Sequence, residues 1–147
     1  MGHDSYIEEK DELKIGRLAM ETYLTVVDDM TDQDMLKNVF KSDLPTRIRT
    51  AALRKIEDQS LLEREAMNQH NNFLMREAAI TNLKSQRVLR RIAWRDPSDR
   101  VRSAAIRRIN SLFFLKILRK LAKIFHNRSI IVAISNRVSK LKNAANS

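Results

Sequence analysis

The amino-acid sequence predicts an all-α protein made of repeated pairs of short helices, and three observations lead there. Two glycines and two prolines in 147 residues, against 43% apolar and 31% charged residues, favour helices joined by short turns. Two kinds of sequence block recur alternately, and matched positions mostly lie 26 or 27 residues apart. Within each block the apolar residues return at helical spacing, as in RVRSAAIRRI, where Val101, Ala104, Ala105 and Ile109 form one stripe. A chain of this length has room for one domain.

The elements follow in order. Residues 1–12 are polar and acidic and read as a flexible N-terminus, residues 141–147 as a flexible tail, with one domain over 13–140 between them. Residues 13–29 (LKIGRLAMETYLTVVDD) read as a capping helix that turns Leu13, Leu18, Met20, Leu24 and Val27 toward the core. The first block type begins MTDQDMLKNVF at Met30, IEDQSLLEREA at Ile56, LKSQRVLRRIA at Leu83 and INSLFFLKILRKLA at Ile109. Each copy is a polar break followed by apolar pairs, and Leu36, Leu62, Leu89 and Leu115 sit 26, 27 and 26 residues apart. The second type is RIRTAALRKI from Arg47, LMREAAITNL from Leu74 and RVRSAAIRRI from Arg100, with Arg49, Arg76 and Arg102 in register and an alanine pair after each. A fourth copy, IIVAISNRV, keeps Ala133 and Val138 but has Ile131 at the arginine position. Ser60 and Glu63 have capping-box spacing, and Asp96–Asp99 supplies caps for the following helix. The breaks are short enough to turn successive helices antiparallel. A single pair hides only part of its apolar face, so stacked pairs complete one another's core.

Several function classes are excluded or left without support. The glycines are Gly2 and Gly16, so no glycine-lined phosphate cradle exists over the rest of the chain. The absence of cysteine removes disulfides, thiolate metal sites and thiol nucleophiles. No apolar run reaches the roughly 18 residues of a membrane span, and no apolar signal region follows the N-terminus, so a cytoplasmic location is expected. His3, His70 and His126 lack metal-ligand spacing, and no serine sits in a nucleophile elbow. Paired acids such as Glu8-Glu9 and Asp28-Asp29 read as solvated faces or caps, and Asp96, near the only tryptophan Trp94, reads as a cap. The expectation is a non-enzymatic protein without metal or cofactor.

Charge carries the remaining signal. The net charge of +10 divides unevenly: residues 1–43 hold eleven acids and five bases, residues 44–147 seven acids and 23 bases. A chain of this kind is suited to a polyanion, to an acidic protein surface, or to head-to-tail contact with its own copies. Lys116, Arg119, Lys120 and Lys123 fall on one helical stripe, and Arg87, Arg90 and Arg91 form the matching patch one repeat earlier, giving a continuous basic surface if the repeats stack. Arg107, Arg108, Arg137 and Lys140 form a second basic set. The in-register Arg49, Arg76 and Arg102 are instead expected to bridge repeats through Asp43, Asp96 or backbone carbonyls. Aromatic residues amount to 5%, which leaves little for base stacking. Ile109–Phe125 has more apolar residues than one helix face needs. Its register through Leu115 favours burial; the alternatives are a docking patch of Phe113, Phe114 and Phe125, or a homo-oligomer interface at the C-terminal repeat.

The segments D-P-x-x-x-V-R-x-A-A-I at Asp96–Ile106, L-P-x-R-I-R-x-A-A-L at Leu44–Leu53 and D-Q-x-L-L at Asp58–Leu62 resemble the HEAT-repeat families, in particular the short bacterial repeats of the phycobilisome-lyase-like type. The resemblance covers residues 30–138. It implies a right-handed α-solenoid of about four HEAT-like antiparallel helix pairs with an N-terminal capping helix, and it places Arg107, Arg108, Arg137 and Lys140 on the concave face. The sequence departs from the pattern at Asn71-Asn72, where the inter-helix aspartate is missing, and at Ile131. The function implied is a protein-interaction scaffold that meets an acidic partner through its basic C-terminal half, by way of Arg87, Arg90, Arg91, Arg107, Arg108, Lys116, Arg119, Lys120 and Lys123. The alternative is sequence-independent DNA or RNA binding by the same surface. An accessory-lyase or chaperone-like role rests on family analogy alone.

Overall fold

The structure, a computed structural model, describes the backbone of residues 4–146 and the side chains of residues 16–146. His3 and the side chains of Glu8, Glu9 and Leu13 lie outside the described residues. Among the described residues there is no strand, and the chain forms helices α1 (Asp4–Asp29), α2 (Gln33–Lys41), α3 (Thr46–Leu53), α4 (Gln59–Met67), α5 (Phe73–Ile80), α6 (Gln86–Arg95), α7 (Asp99–Ile106), α8 (Leu112–Ile124) and α9 (Arg128–Ala145). Helix α1 starts well before residue 13, because residues 4–12 contain neither glycine nor proline and include three glutamates, good helix formers. Helix α9 runs on to Ala145, into the segment expected to be a tail.

The chain forms two compact units, residues 1–56 and 57–147. In the first, α2 packs on α3 and α1 packs on α3. In the second, α4 pairs with α5, α6 with α7 and α8 with α9, while α5 packs on α7, α7 on α9, and α4 on α6. The register read from the leucines is the register of the core: Leu36, Leu62, Leu89 and Leu115 are each 0% exposed. Ala52, Ala78, Ala79 and Ala105 are also buried, where a small side chain lets neighbouring helices approach closely. The capping helix differs from expectation. Val27 is buried, but Leu18 is 54% exposed and Val26 and Tyr23 are exposed with it, since α3 covers only one side of α1.

Most helix starts carry an Asp, Asn or Ser cap. Asp32 accepts from the amides of Asp34 and Met35, Asp58 from Leu61, Asn72 from Met75, Ser85 from Val88, Ser111 from Phe114 and Asn127 from Ile130. The start of α4 therefore differs from the capping box read at Ser60. Asp58 is the cap, and the Ser60 hydroxyl donates to its carboxylate at 2.7 Å.

Directly after three of these caps comes a glutamine that closes its own helix pair. Gln33 donates to the Lys55 carbonyl at 3.2 Å. Gln59 donates to Asn82 O at 3.1 Å and accepts from Lys84 N at 2.8 Å. Gln86 repeats both bonds one pair later, to Arg108 O at 3.0 Å and from Asn110 N at 2.9 Å. A second recurrence uses basic residues that follow or lie within the pair's second helix: Lys55 just after α3, Arg108 just after α7 and Arg137 inside α9. Lys55 Nζ donates to Val27 O at 3.0 Å, Arg108 Nε to Leu83 O at 3.3 Å, and Arg137 Nε to Ile109 O at 2.7 Å. The acceptors Leu83 O and Ile109 O are turn carbonyls outside the helices, and Val27 O lies in the last turn of α1, where helical carbonyls run out of i+4 amides.

Candidate functional site

The expected surface residues are built on α6, α8 and the turn after α7. Helix α8 buries Leu115, Leu118 and Ala122, which fixes its rotation. That rotation turns Lys116, Arg119, Lys120 and Lys123 outward, all four exposed and, among the described residues, without an ion-pair partner. The same rotation corrects the expectation that the apolar surplus of this helix is buried. Phe113 is 75% exposed, Ile124 65% and Phe125 77%, with Ile117 exposed between them. Eight or nine apolar positions on a 13-residue helix exceed what its neighbours can cover, since of the other helices only α9 packs extensively on α8.

Ala93 and Trp94 of α6 and Leu118, Leu121, Ala122 and Phe125, at α8 and its end, line an apolar groove of about 500 Å³ together with Arg102, Asn127 and Ile130. Arg87 and Arg91 are exposed and Arg90 is half-buried. Arg91 also borders a cleft of about 170 Å³ with Met67 and Arg95.

Arg107 and Arg108 stand apart from both patches. They line a polar pocket of about 330 Å³ together with Lys84, Gln86, Asn110 and Arg137. The Arg108 guanidinium is half-buried and donates through Nε and Nη2 to Leu83 O. Arg137 donates through Nε to Ile109 O and through Nη2 to Asn110 Oδ1 at 2.6 Å. Burial, and secondarily the neighbouring charge of Arg108, lower the Arg137 guanidinium below its ordinary pKa. Arg107 is exposed, with Glu77 at 3.9 Å; Glu77 pairs more closely with Arg100, at 2.7 Å.

The in-register arginines act within the fold. Arg49 Nε donates to Phe40 O at 2.9 Å, and Asp43 is not its partner. Arg76 forks onto Asp96 through Nε and Nη2, at 2.9 and 3.0 Å, and also donates to Asn71 O. Arg102 donates to Asp96 O at 2.9 Å and pairs with Asp99. Asp96 Oδ1 further accepts from Ser98 N at 2.8 Å, so both carboxylate oxygens are engaged. Asn71, standing where the pattern lacks its aspartate, supplies a backbone carbonyl to Arg76 instead.

His70 and His126 are exposed, and among the described residues no three His, Cys, Asp or Glu side chains gather as a metal site. No helix among the described residues is long and apolar enough to cross a membrane. The glutamine bonds were legible as a repeat, since Gln33, Gln59 and Gln86 keep the period of the leucines, but polar residues at helix starts read first as solvated caps. Compared with known protein families, curated proteins and solved structures, the chain matches none.

Proposed function

We propose that the protein is a cytoplasmic, non-enzymatic interaction scaffold, a right-handed HEAT-like α-solenoid whose basic C-terminal half receives an acidic amphipathic segment of a partner protein. The observation that carries this reading is the outer side of α8, where exposed Phe113, Ile117 and Ile124 run beside the exposed Lys116, Lys120 and Lys123. An apolar row alongside a cationic row complements a helix that carries leucines on one face and carboxylates on its edge. The apolar groove beside Trp94 extends that surface. The recurrent glutamine and arginine bonds support the repeat reading, because the same side chain closes successive joints in the same way.

A nucleic-acid surface would need only the cations, and the row from Lys116 to Lys123 rises about 10 Å, short for a groove that tracks a strand. Fluorescence anisotropy separates the two. A labelled acidic amphipathic peptide and a labelled duplex DNA are each titrated with the full chain at several salt concentrations. The proposal expects peptide binding that weakens about tenfold or more in Ile117→Ser/Ile124→Ser, with the helical fold retained by circular dichroism. Micromolar DNA binding with a salt slope of several, lost in Lys116→Gln/Lys120→Gln and indifferent to Ile117→Ser/Ile124→Ser, overturns it in favour of nucleic acid.

A further inference from the structure

We propose that the pocket bounded by Lys84, Arg107, Arg108 and Arg137 binds the dianionic phosphate group of a phosphate monoester. Four cationic side chains, with the amides of Gln86 and Asn110, line about 330 Å³, and no carboxylate is among the lining residues. Among the described residues only Arg107 of the four has a carboxylate within ion-pair distance, Glu77 at 3.9 Å, and Arg100 holds that carboxylate more closely, at 2.7 Å. The gathered like charges repel one another, and a bound anion relieves that repulsion.

Two of the four cations are held in place. Arg108 is tied to Leu83 O, and Arg137 to Ile109 O and Asn110 Oδ1, while Gln86 fixes the turn that carries Asn110 and Arg108. A guanidinium has five N–H donors, and these bonds leave several on each arginine for an oxyanion. Such immobilised forks lose little freedom on binding.

The surplus charge is not what the joint needs structurally. One repeat earlier, Glu57, Thr81, Lys84 and Arg108 occupy the positions that Lys84, Arg107, Asn110 and Arg137 hold here. Gln59 closes that joint with the same two bonds that Gln86 makes. The bonding is thus repeated while a mixed-sign joint has become wholly cationic, which marks the later joint for a ligand. A monoester phosphate carries close to two negative charges at neutral pH, a phosphodiester one, so a compact pocket with four cations favours the monoester. The site is independent of the α8 surface and its partner.

Isothermal titration of the full chain at constant ionic strength tests this, with inorganic phosphate, acetate and dimethyl phosphate as probes. Lys84→Gln and Arg107→Gln are the diagnostic variants, since neither side chain holds a backbone carbonyl; Lys120→Gln is the control. The expected result is saturable one-site phosphate binding, about tenfold weaker in each diagnostic variant, unchanged in the control, and weakening as the pH is lowered and the phosphate dianion gains its second proton. A phosphoserine peptide that binds tighter than inorganic phosphate, with its unphosphorylated twin silent, assigns the group to a protein side chain. A phosphopeptide no tighter than inorganic phosphate assigns it to a free phosphorylated molecule. Non-saturable heats, equal binding of dimethyl phosphate or acetate, or wild-type affinity in both diagnostic variants overturns the proposal.

Discussion

Arg76 and Asp96 meet in a two-bond fork in which both side chains are nearly sealed from water, at 6% and 4% exposure. The pair joins α5 to the turn after α6, and Asp96 at the same time accepts the Ser98 amide that begins the turn into α7. One carboxylate thereby links three helices. A fork of this kind fixes direction as well as distance, because the guanidinium plane and the carboxylate plane must align.

Removing one member of this pair leaves the other buried and uncompensated. Asp96→Ala is expected to lose about 3–5 kcal/mol in urea unfolding, and Arg76→Met/Asp96→Leu to recover much of that loss, because the desolvation of two charges disappears together with their attraction. A loss under about 1 kcal/mol for Asp96→Ala would mean that water reaches the pair.

The glutamine bonds are testable at two equivalent joints. Gln59→Ala and Gln86→Ala each leave a turn carbonyl and a turn amide without their side-chain partner. Each is expected to cost about 1–3 kcal/mol by chemical denaturation. Equal losses would show that the two joints are energetically alike despite their different charge.

His126 ends α8 with φ of 53°, the left-handed region. Its amide donates to Lys123 O and that of Asn127 to Ala122 O, the bond pair of a Schellman cap. His126→Gly is expected to raise stability by about 0.5–1 kcal/mol, the relief of side-chain strain exceeding the added freedom of the unfolded chain. A lower melting temperature would mean that the imidazole contributes a contact of its own.

The rotation of α8 predicts opposite outcomes for neighbours in sequence. Leu115→Ala, at a position with 0% exposure, is expected to cost about 2–5 kcal/mol. Phe113→Ser, at 75% exposure, is expected to change stability by less than about 0.5 kcal/mol. Thermal unfolding of the two variants checks the rotation directly, and similar losses would place Phe113 in the core.

The helical class, the period and the buried set Leu36, Leu62, Leu89 and Leu115 follow from the sequence by itself, because a helix exposes its apolar spacing locally and a repeat writes the same spacing again. The row Lys116, Arg119, Lys120 and Lys123 is legible for the same reason: four residues at helical spacing share a face whatever surrounds them. Which apolar residues stay exposed was decided by packing. Phe113 and Leu115 are both large and apolar, and the difference between them is that the neighbouring helices of the fold reach one side of α8 and not the other. The grouping of Lys84 with Arg107, Arg108 and Arg137 was likewise decided by tertiary structure, since Lys84 and Arg137 lie far apart in the chain and meet where the turns after α5 and α7 come together beside α9. Periodicity reports which side of a helix a residue occupies; only the packed fold determines what stands across from it.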